Sequence, residues 1–356
     1  MRLSERLARL TPFSYCGKDY PIRLDANESC VPLSNEIREE ISAAVREMAF
    51  ERYPDDTTEA LRCAFADAFA TDASCVVPGN GSDELINMIV GRLIPDEGVV
   101  LGIEHDFGSY WSNASIFGRK VVKLPRRIDM SFTVDDLIGG ASLYSADMVV
   151  FSNPNNPSGG MLPRDEVVRL IESLSCLVVV DEAYMDFANQ SILDLAGRYD
   201  NLIVLRTLSK AVGLAGARLG FAVSTPCLAY ALRSVRDAYN VSALDQLVGR
   251  IVLSHPEQRV RTLAETKRLM TLMMNRLNEM ARRADGRMTV YPSVTNYVLM
   301  RLDDAEVICE GLHRKGISLR LVDSQLLRIS LADEETLTMV LNELETLVTK
   351  SKEDAR

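Results

Sequence analysis

Seven short apolar runs recur along the first two thirds of the chain, and they constrain its fold more than any other feature. They lie at residues 75–77, 99–103, 121–124, 148–151, 177–180, 202–205 and 219–223. Helical stretches such as 164–174 separate several of them. Continuous apolar runs are typical of strands buried on both faces, and such strands alternating with helices form mainly parallel sheets. We therefore expect an α/β fold: a three-layer αβα sandwich around a mainly parallel, seven-stranded sheet.

The last third of the chain has a different pattern. It predicts a long helix at 256–283, strands at 288–302, 317–321 and 326–331, and helices at 305–315 and 334–348. This mixture indicates a smaller α+β domain, and a length of 356 residues suits about two domains. We expect an N-terminal arm at 1–30 associated with the small domain, a large domain at 31–255 and a small C-terminal domain at 256–356.

Composition narrows the classes of function. The formal net charge is −10, and an acidic surface attracts neither nucleic acids nor anionic membranes, so we expect no such partner. The seven cysteines and three histidines show no metal-ligand spacing, so we expect no metal site. The N-terminus has no apolar leader, and no apolar run approaches the ~18 residues that span a bilayer. We therefore expect a cytoplasmic protein.

Polar residues follow several of the predicted strands, where ligands collect in parallel sheets. Lys210 comes shortly after a buried strand and lies among apolar residues, and partial desolvation would favour the neutral, nucleophilic amine. Glycines at 79–81 precede Ser82 at the start of a helix, whose unpaired backbone N–H groups would suit a phosphate. A capped helix after a tight turn explains the same glycines equally well.

Four motifs at strand ends occur in a fixed order along the chain. They are Asn153-Pro154-Asn155-Asn156-Pro157-Ser158-Gly159, Asp181-Glu182-Ala183-Tyr184, Thr207-Leu208-Ser209-Lys210-Ala211 and Gly216-Ala217-Arg218-Leu219-Gly220. Together they resemble the fold-type I pyridoxal-phosphate-dependent aminotransferases, and among these the histidinol-phosphate aminotransferase group. The resemblance extends from about residue 7 to about residue 331 and includes the segments 25–28, 52–54 and 79–84.

The resemblance implies a cofactor, pyridoxal 5′-phosphate, and a task for each matching residue. Lys210 would bind the cofactor covalently and move the substrate proton, and Asp181 would keep the pyridine nitrogen protonated. Asn156 and Tyr184 would donate hydrogen bonds to the ring oxygen O3′. The phosphate would be held by Ser82, Asp83, Ser209 and Arg218. Tyr110 would stack on the ring.

The resemblance also implies how substrates and subunits meet. Tyr53 matches a tyrosine that reaches the cofactor phosphate of the neighbouring subunit, which implies a homodimer. Arg328 corresponds to the arginine that binds the substrate's anionic group, and Arg320 is a second candidate for which a surface ion pair is equally plausible. Asn27 lies in the matching segment 25–28 and is assigned to the substrate site. The implied substrates are a small amino acid or amino phosphate and a 2-oxo acid.

The chain departs from the family pattern where substrate is bound. Phe13 stands where relatives have a tyrosine, and the segment 104–107 lacks the usual proline. Transfer between glutamate and histidinol phosphate is the leading reading. An aromatic amino acid aminotransferase and a threonine-phosphate-type decarboxylase on the same scaffold stay open, because reaction choice depends on small shifts of the anchoring groups.

Overall fold

The computed structural model describes residues 20–354, and its larger sheet has seven strands. These are β2 (Val76–Asn80), β3 (Val99–Ile103), β4 (Lys120–Leu124), β5 (Met148–Ser152), β6 (Leu177–Asp181), β7 (Leu202–Thr207) and β8 (Leu219–Val223). Their spatial order is β2-β8-β7-β6-β5-β3-β4. Only β8 runs antiparallel to its neighbours. The expected seven-stranded, mainly parallel sheet is confirmed.

Helices cover both faces of this sheet. They are α1 (Asn35–Arg46), α2 (Glu59–Phe69), α3 (Gly81–Met88), α4 (Gly108–Ile116), α5 (Val134–Tyr144), α6 (Arg164–Ser173), α7 (Pro226–Val235) and α8 (Ala243–Leu253). Within β6, Val178 and Val180 pack with α2, α5 and α6, whereas Val179 packs with α3, α4 and α7. Alternate strand residues point to opposite faces, so apolar residues at every position require apolar layers on both sides.

A second sheet has five strands and its own apolar core. The strands are β1 (Ile22–Leu24), β9 (Met288–Val290), β10 (Tyr297–Leu302), β11 (Ile317–Leu321) and β12 (Leu326–Ser330), in the order β1-β11-β12-β10-β9. The helices α9 (Pro256–Arg283), α10 (Ala305–Arg314) and α11 (Glu334–Asp354) accompany it. The N-terminal segment contributes β1, which pairs in parallel with β11. The domain boundaries given above stay a prediction.

Some sequence expectations need revision. The strand predicted at 288–302 is two strands, because Pro292 and a polar turn interrupt the run between β9 and β10. The last helix continues to Asp354, beyond the predicted end at residue 348. Phe13 and the part of the arm before residue 20 lie outside the described residues. Within the described part of the chain, no helix is both long and apolar enough to cross a bilayer.

Candidate active site

The functional side chains meet at one edge of the large sheet. Ser152, Asp181 and Thr207 end the parallel strands β5, β6 and β7, and Ser152 lies beside Asp181 in register. Because β8 runs the opposite way, its first residues lie at this edge too, with Gly220 opposite Thr207. Lys210 follows three residues after the end of β7. The topology therefore brings together motifs that are far apart in sequence.

Asp181 is a buried carboxylate that accepts hydrogen bonds at both oxygens. Its Oδ2 accepts from the Tyr110 hydroxyl at 2.7 Å, and its Oδ1 accepts from the backbone N–H of Ala183 at 3.0 Å. Desolvation raises the pKa of Asp181 to about 6. No Lys or Arg within residues 20–354 forms an ion pair with it. A buried carboxylate of this kind fits a ligand that supplies a positive group, such as a protonated pyridine nitrogen.

The stacking role predicted for Tyr110 does not fit this geometry. Its ring is completely enclosed in the protein, so neither face is open to a ligand, and its hydroxyl is bonded to Asp181. Phe107, at the start of α4, is only half-buried and contacts the Tyr110 ring edge to face at 5.6 Å. Phe107 is therefore the aromatic residue that can cover a bound ring, and Tyr110 orients Asp181.

Glycines form a cradle where β2 leads into α3. A Cβ on Gly81 would lie 2.5 Å from Arg218 Nη2, and a Cβ on Gly220 would collide with the backbone nitrogen of Ser82. Ser82 and Asp83 lie in the first turn of α3, where backbone N–H groups have no acceptor within the helix. Arg218 is half-exposed and 3.4 Å from the Asp83 carboxylate. This donor set suits a phosphate, with the Asp83 side chain holding Arg218 rather than the anion itself.

Ser209 is a further candidate donor to an anion bound in the glycine-lined cradle. It is buried just before Lys210, and its hydroxyl lies 2.9 Å from that of Thr207, whose single hydrogen also has the carbonyl of Leu219 as an acceptor at 3.0 Å. Because a hydroxyl can rotate, Ser209 can donate its own hydrogen to an anion.

A second group of side chains lies near the end of β6 and consists of Lys210, Tyr184 and Asn27. The Lys210 Nζ donates to the carbonyl of Ala26 at 2.8 Å and lies 5.8 Å from the centre of the Tyr184 ring. The Tyr184 hydroxyl accepts from Asn27 Nδ2 at 2.9 Å. Asn27 is fixed in turn by Ser330, at the end of β12. Lys210 thus lies between the large sheet and the N-terminal segment.

Arg328 connects the second sheet to the site. It is buried on β12 and donates to the Asn156 side chain and to the carbonyl of Asp25. Its Nε is buried without a hydrogen-bond partner within the described residues. Burial lowers the pKa of Arg328, and the positive charge of Arg320 acts in the same direction. Arg320 lies directly opposite Arg328 on β11, so both side chains project from the same face of the sheet.

Tyr53 is not brought into this cluster within one chain. Its ring is 81% exposed and stacks on Tyr239 at 4.6 Å between ring centres. Exposed paired aromatic rings of this kind suit contact with another surface.

Sequence reasoning missed several residues that shape the site. Asn296 donates to the backbone of Asn27 and Glu28, and the Tyr297 hydroxyl donates to the carbonyl of Asn155 at 2.7 Å. The available signal was their position: Asn296 immediately precedes β10, and Tyr297 is the first residue of that strand. The described residues contain no group of three or more His, Cys, Asp or Glu side chains that could bind a metal ion.

A lysine after one strand, a carboxylate at the end of the next and a glycine-lined anion cradle define the fold-type I enzymes that bind pyridoxal phosphate. The family described as aminotransferase class I and II matches residues 20–344, and the chain belongs to this family. It is a transaminase whose cofactor is pyridoxal 5′-phosphate.

Individual proteins are similar to this chain in sequence or in fold. The chain is 35% identical over 335 residues to the histidinol-phosphate aminotransferase of Clostridium novyi, covering 93% of both chains. Its fold is similar to that of the histidinol-phosphate aminotransferase from Sinorhizobium meliloti in complex with pyridoxal-5′-phosphate, with a TM-score of 0.88, 24% identity and 98% coverage of both chains. It is also similar to the L-threonine-O-3-phosphate decarboxylase of Porphyromonas gingivalis, with a TM-score of 0.79, 20% identity and coverage of 92% and 99%.

Proposed function

We propose that this enzyme transfers an amino group between two pairs of compounds: glutamate with 2-oxoglutarate, and histidinol phosphate with the ketone that forms when it loses its amino group. The observation that carries the proposal is the pair of arginines Arg320 and Arg328 on one face of the second sheet. A transaminase must accept two substrates in turn at one site. Glutamate offers a carboxylate and histidinol phosphate offers a phosphate, and guanidinium groups bind both kinds of anion through two parallel hydrogen bonds.

The two arginines differ in their surroundings. Arg328 is buried and held by Asn156 and Asp25, so it is oriented before an anion arrives. Arg320 is exposed, so its side chain has room to move and to bind anions of different size. Two neighbouring positive charges repel each other, and an anion between them relieves that repulsion. This arrangement supports a site that selects substrates carrying a negative group.

Residues of the chain would hold the cofactor at both ends and on one face. Ser82, Ser209 and Arg218 would bind its phosphate, Asp181 would hold the proton on the ring nitrogen, and Phe107 would cover the ring. When bound, the cofactor draws electrons away from the substrate's α-carbon, which makes the proton on that carbon removable. Lys210 Nζ would take that proton and return it to the neighbouring position, as a general base and then a general acid.

Two neighbours of Lys210 would tune this proton transfer. The Tyr184 hydroxyl, fixed by Asn27 at 2.9 Å, would donate to the ring oxygen together with Asn156. The Asn156 side-chain oxygen is already bonded to Arg328, so its Nδ2 is the group that can donate. The side-chain amide of Asn156 would therefore contact both Arg328, which would bind the substrate's anion, and the ring oxygen of the cofactor. This arrangement would couple substrate binding to the position of the ring.

The proposal includes a homodimer with shared sites. Tyr53 and Tyr239 form an exposed aromatic pair, and Tyr53 would reach the cofactor phosphate of the partner subunit. It also includes a cytoplasmic location, which cell fractionation followed by immunoblotting would test. Recovery of the protein outside the cytoplasmic fraction would contradict that part.

A spectroscopic substrate panel tests the reaction itself. The holoenzyme is mixed in a stopped-flow instrument with histidinol phosphate, aromatic amino acids, threonine phosphate or glutamate, and build-up of the amine form of the cofactor is recorded. We expect build-up with histidinol phosphate and with glutamate. Build-up only with aromatic amino acids and glutamate would assign an aromatic aminotransferase instead. Release of carbon dioxide from threonine phosphate without build-up would assign a decarboxylase.

A further inference from the structure

The segment 104–107, which lacks the family's proline, has a backbone that proline could not adopt. His105 has a φ of +49°, whereas a proline ring fixes φ near −65°. The next residue, Asp106, is buried beside the end of β5. The described contacts place Asp106 against Ser152 rather than in solvent. The departure from the family pattern therefore brings a second carboxylate close to Asp181.

The hydrogen bonds of Ser152 have only one consistent direction. Its hydroxyl oxygen accepts from the backbone N–H of Asn156 at 2.9 Å and from Asn155 Nδ2 at 3.1 Å. Both of these groups are donors only, so the single hydroxyl hydrogen must go to Asp106 Oδ1 at 2.5 Å. Asp106 also accepts from the backbone N–H groups of Phe107 and Ser152. Three donors converge on this carboxylate, which suits its ionised form.

Asp106 is connected to Asp181 by two routes. Ser152 is the partner of Asp181 in the sheet, and the backbone N–H of Asn153 donates to the Asp181 carbonyl at 2.9 Å. The second route is through Tyr110, which lies four residues after Asp106 and whose hydroxyl donates a hydrogen bond to the Asp181 carboxylate.

The charged and titratable groups that act on Asp106 come from several elements. They are Arg126 after β4, Asp181 on β6, Tyr110 on α4 and Tyr297 on β10. Arg126 donates to the carbonyl oxygens of Glu104, His105 and Met130, so its guanidinium is fixed near Asp106 but is engaged elsewhere. Burial raises the pKa of Asp106 to about 6, so above that pH it carries a negative charge that Arg126 balances only in part.

We infer that Asp106 is a positioning residue for the cofactor: through Ser152 it fixes the loop that carries Asn156, and its charge reinforces Asp181 in holding the ring nitrogen protonated. The inference rests on the roles of Asn156 and Asp181 in the proposed function, but not on the identity of the substrate. Asp106 itself touches no reacting atom. Its effect is therefore tested by measuring cofactor affinity and the pH dependence of the cofactor's absorbance in the absence of substrate.

Asp106→Asn keeps the size of the side chain and removes its charge. The apo-protein is titrated with pyridoxal phosphate, and binding is followed by quenching of Trp111, the single tryptophan, which follows Tyr110 directly. We expect affinity to fall by about tenfold or more, the size expected for losing a charge-assisted hydrogen bond. The pH midpoint of the bound cofactor's visible absorbance should move down by about half a unit or more, because a nearby negative charge favours protonated forms.

Asp147→Asn is the matched control. Asp147 lies just before the other end of β5, where its carboxylate accepts from the backbone N–H of Val99 at 2.8 Å, away from the site. This variant should leave both the affinity and the midpoint unchanged. An unchanged midpoint in folded Asp106→Asn, or an equal shift in Asp147→Asn, would overturn the inference.

Ser152→Ala separates the hydrogen-bond relay from the charge. It removes the hydroxyl but keeps the carboxylate, so cofactor affinity should fall while the midpoint stays at the wild-type value. It also provides the test of the relay if Asp106→Asn does not fold, and unchanged affinity would then refute the role of Ser152. Because no substrate is present, rejection of histidinol phosphate by the enzyme would leave these results unaffected.

Discussion

Replacing Arg328 with glutamine should weaken the half-reactions with glutamate and with histidinol phosphate to a similar extent. Arg328 is buried and makes two hydrogen bonds to the protein, so its guanidinium is already oriented. Truncating one partner of a buried charge pair costs about 2 to 5 kcal/mol. At about 1.4 kcal/mol per tenfold, kcat/KM should fall by roughly 30- to 4,000-fold for both substrates. Single-turnover rates measured separately for each half-reaction give these values.

Arg320→Gln is the informative comparison, because Arg320 lies opposite Arg328 but is exposed. Exposed ion pairs contribute about 0.2 to 1 kcal/mol, so the loss should stay below roughly sixfold. Arg301→Gln is the control, since Arg301 lies further out on the same face, on β10, and should change neither rate. If Arg328→Gln impaired only one half-reaction while the other stayed near the wild-type rate, the shared anion site would be refuted.

Three further predictions concern the cofactor and the dimer. Lys210→Ala should abolish the borohydride-trapped cofactor adduct, and an adduct that maps to another lysine in the wild type would contradict the central role of Lys210. Asp181→Asn should retain the cofactor but slow turnover severely, because an amide cannot hold a proton on the ring nitrogen by charge; near-normal single-turnover rates in the folded variant would remove Asp181 from the mechanism. Mixing inactive Lys210→Ala with an inactive Tyr53 variant should restore part of the activity through heterodimers, whereas a fully active monomer in sedimentation would contradict shared sites.

The sheet could be predicted from the sequence because its signal is local. Residues 99–103 and 219–223 are strands with the predicted bounds, since strands buried on both faces are apolar at nearly every position. The helix at 256–283 also has its predicted bounds, with Pro256 at its first position, where the missing N–H has no partner to lose. Patterns of this kind depend only on neighbouring residues.

The geometry of the site could not be predicted in the same way. The contact between Arg328 and Asn156 joins residues 172 positions apart, and only the packing of the two sheets creates it. The sequence does not distinguish Phe107 from Tyr110 as the ring that would lie against the cofactor, because both are aromatic and lie one turn apart and they differ only in burial. Nothing in the sequence distinguishes Asp106 from other polar residues of a loop, and only its burial and its contact with Ser152 in the structure single it out.

The buried carboxylate of Asp181 leads to a prediction about stability and pH. Burial raises its pKa in the folded apo-protein to about 6, above the value of 3.8 expected in the unfolded chain. Between these two values the folded protein binds more protons than the unfolded one, so this group makes the free energy of unfolding fall as pH rises. A difference of about two units corresponds to roughly 3 kcal/mol.

The prediction is tested by comparing apo wild type with apo Asp181→Asn in urea unfolding between about pH 4 and pH 7, a window set by the two pKa values. Titrating groups that do not interact with Asp181 are shared by both proteins and cancel in the difference. Relative to the variant, the wild type should lose stability as pH rises through this window. Bound cofactor should abolish that loss, because a protonated ring nitrogen beside Asp181 would stabilise the ionised carboxylate. Parallel curves for the two apo-proteins would show that Asp181 titrates normally and would remove the physical reason for a cationic ligand at this position.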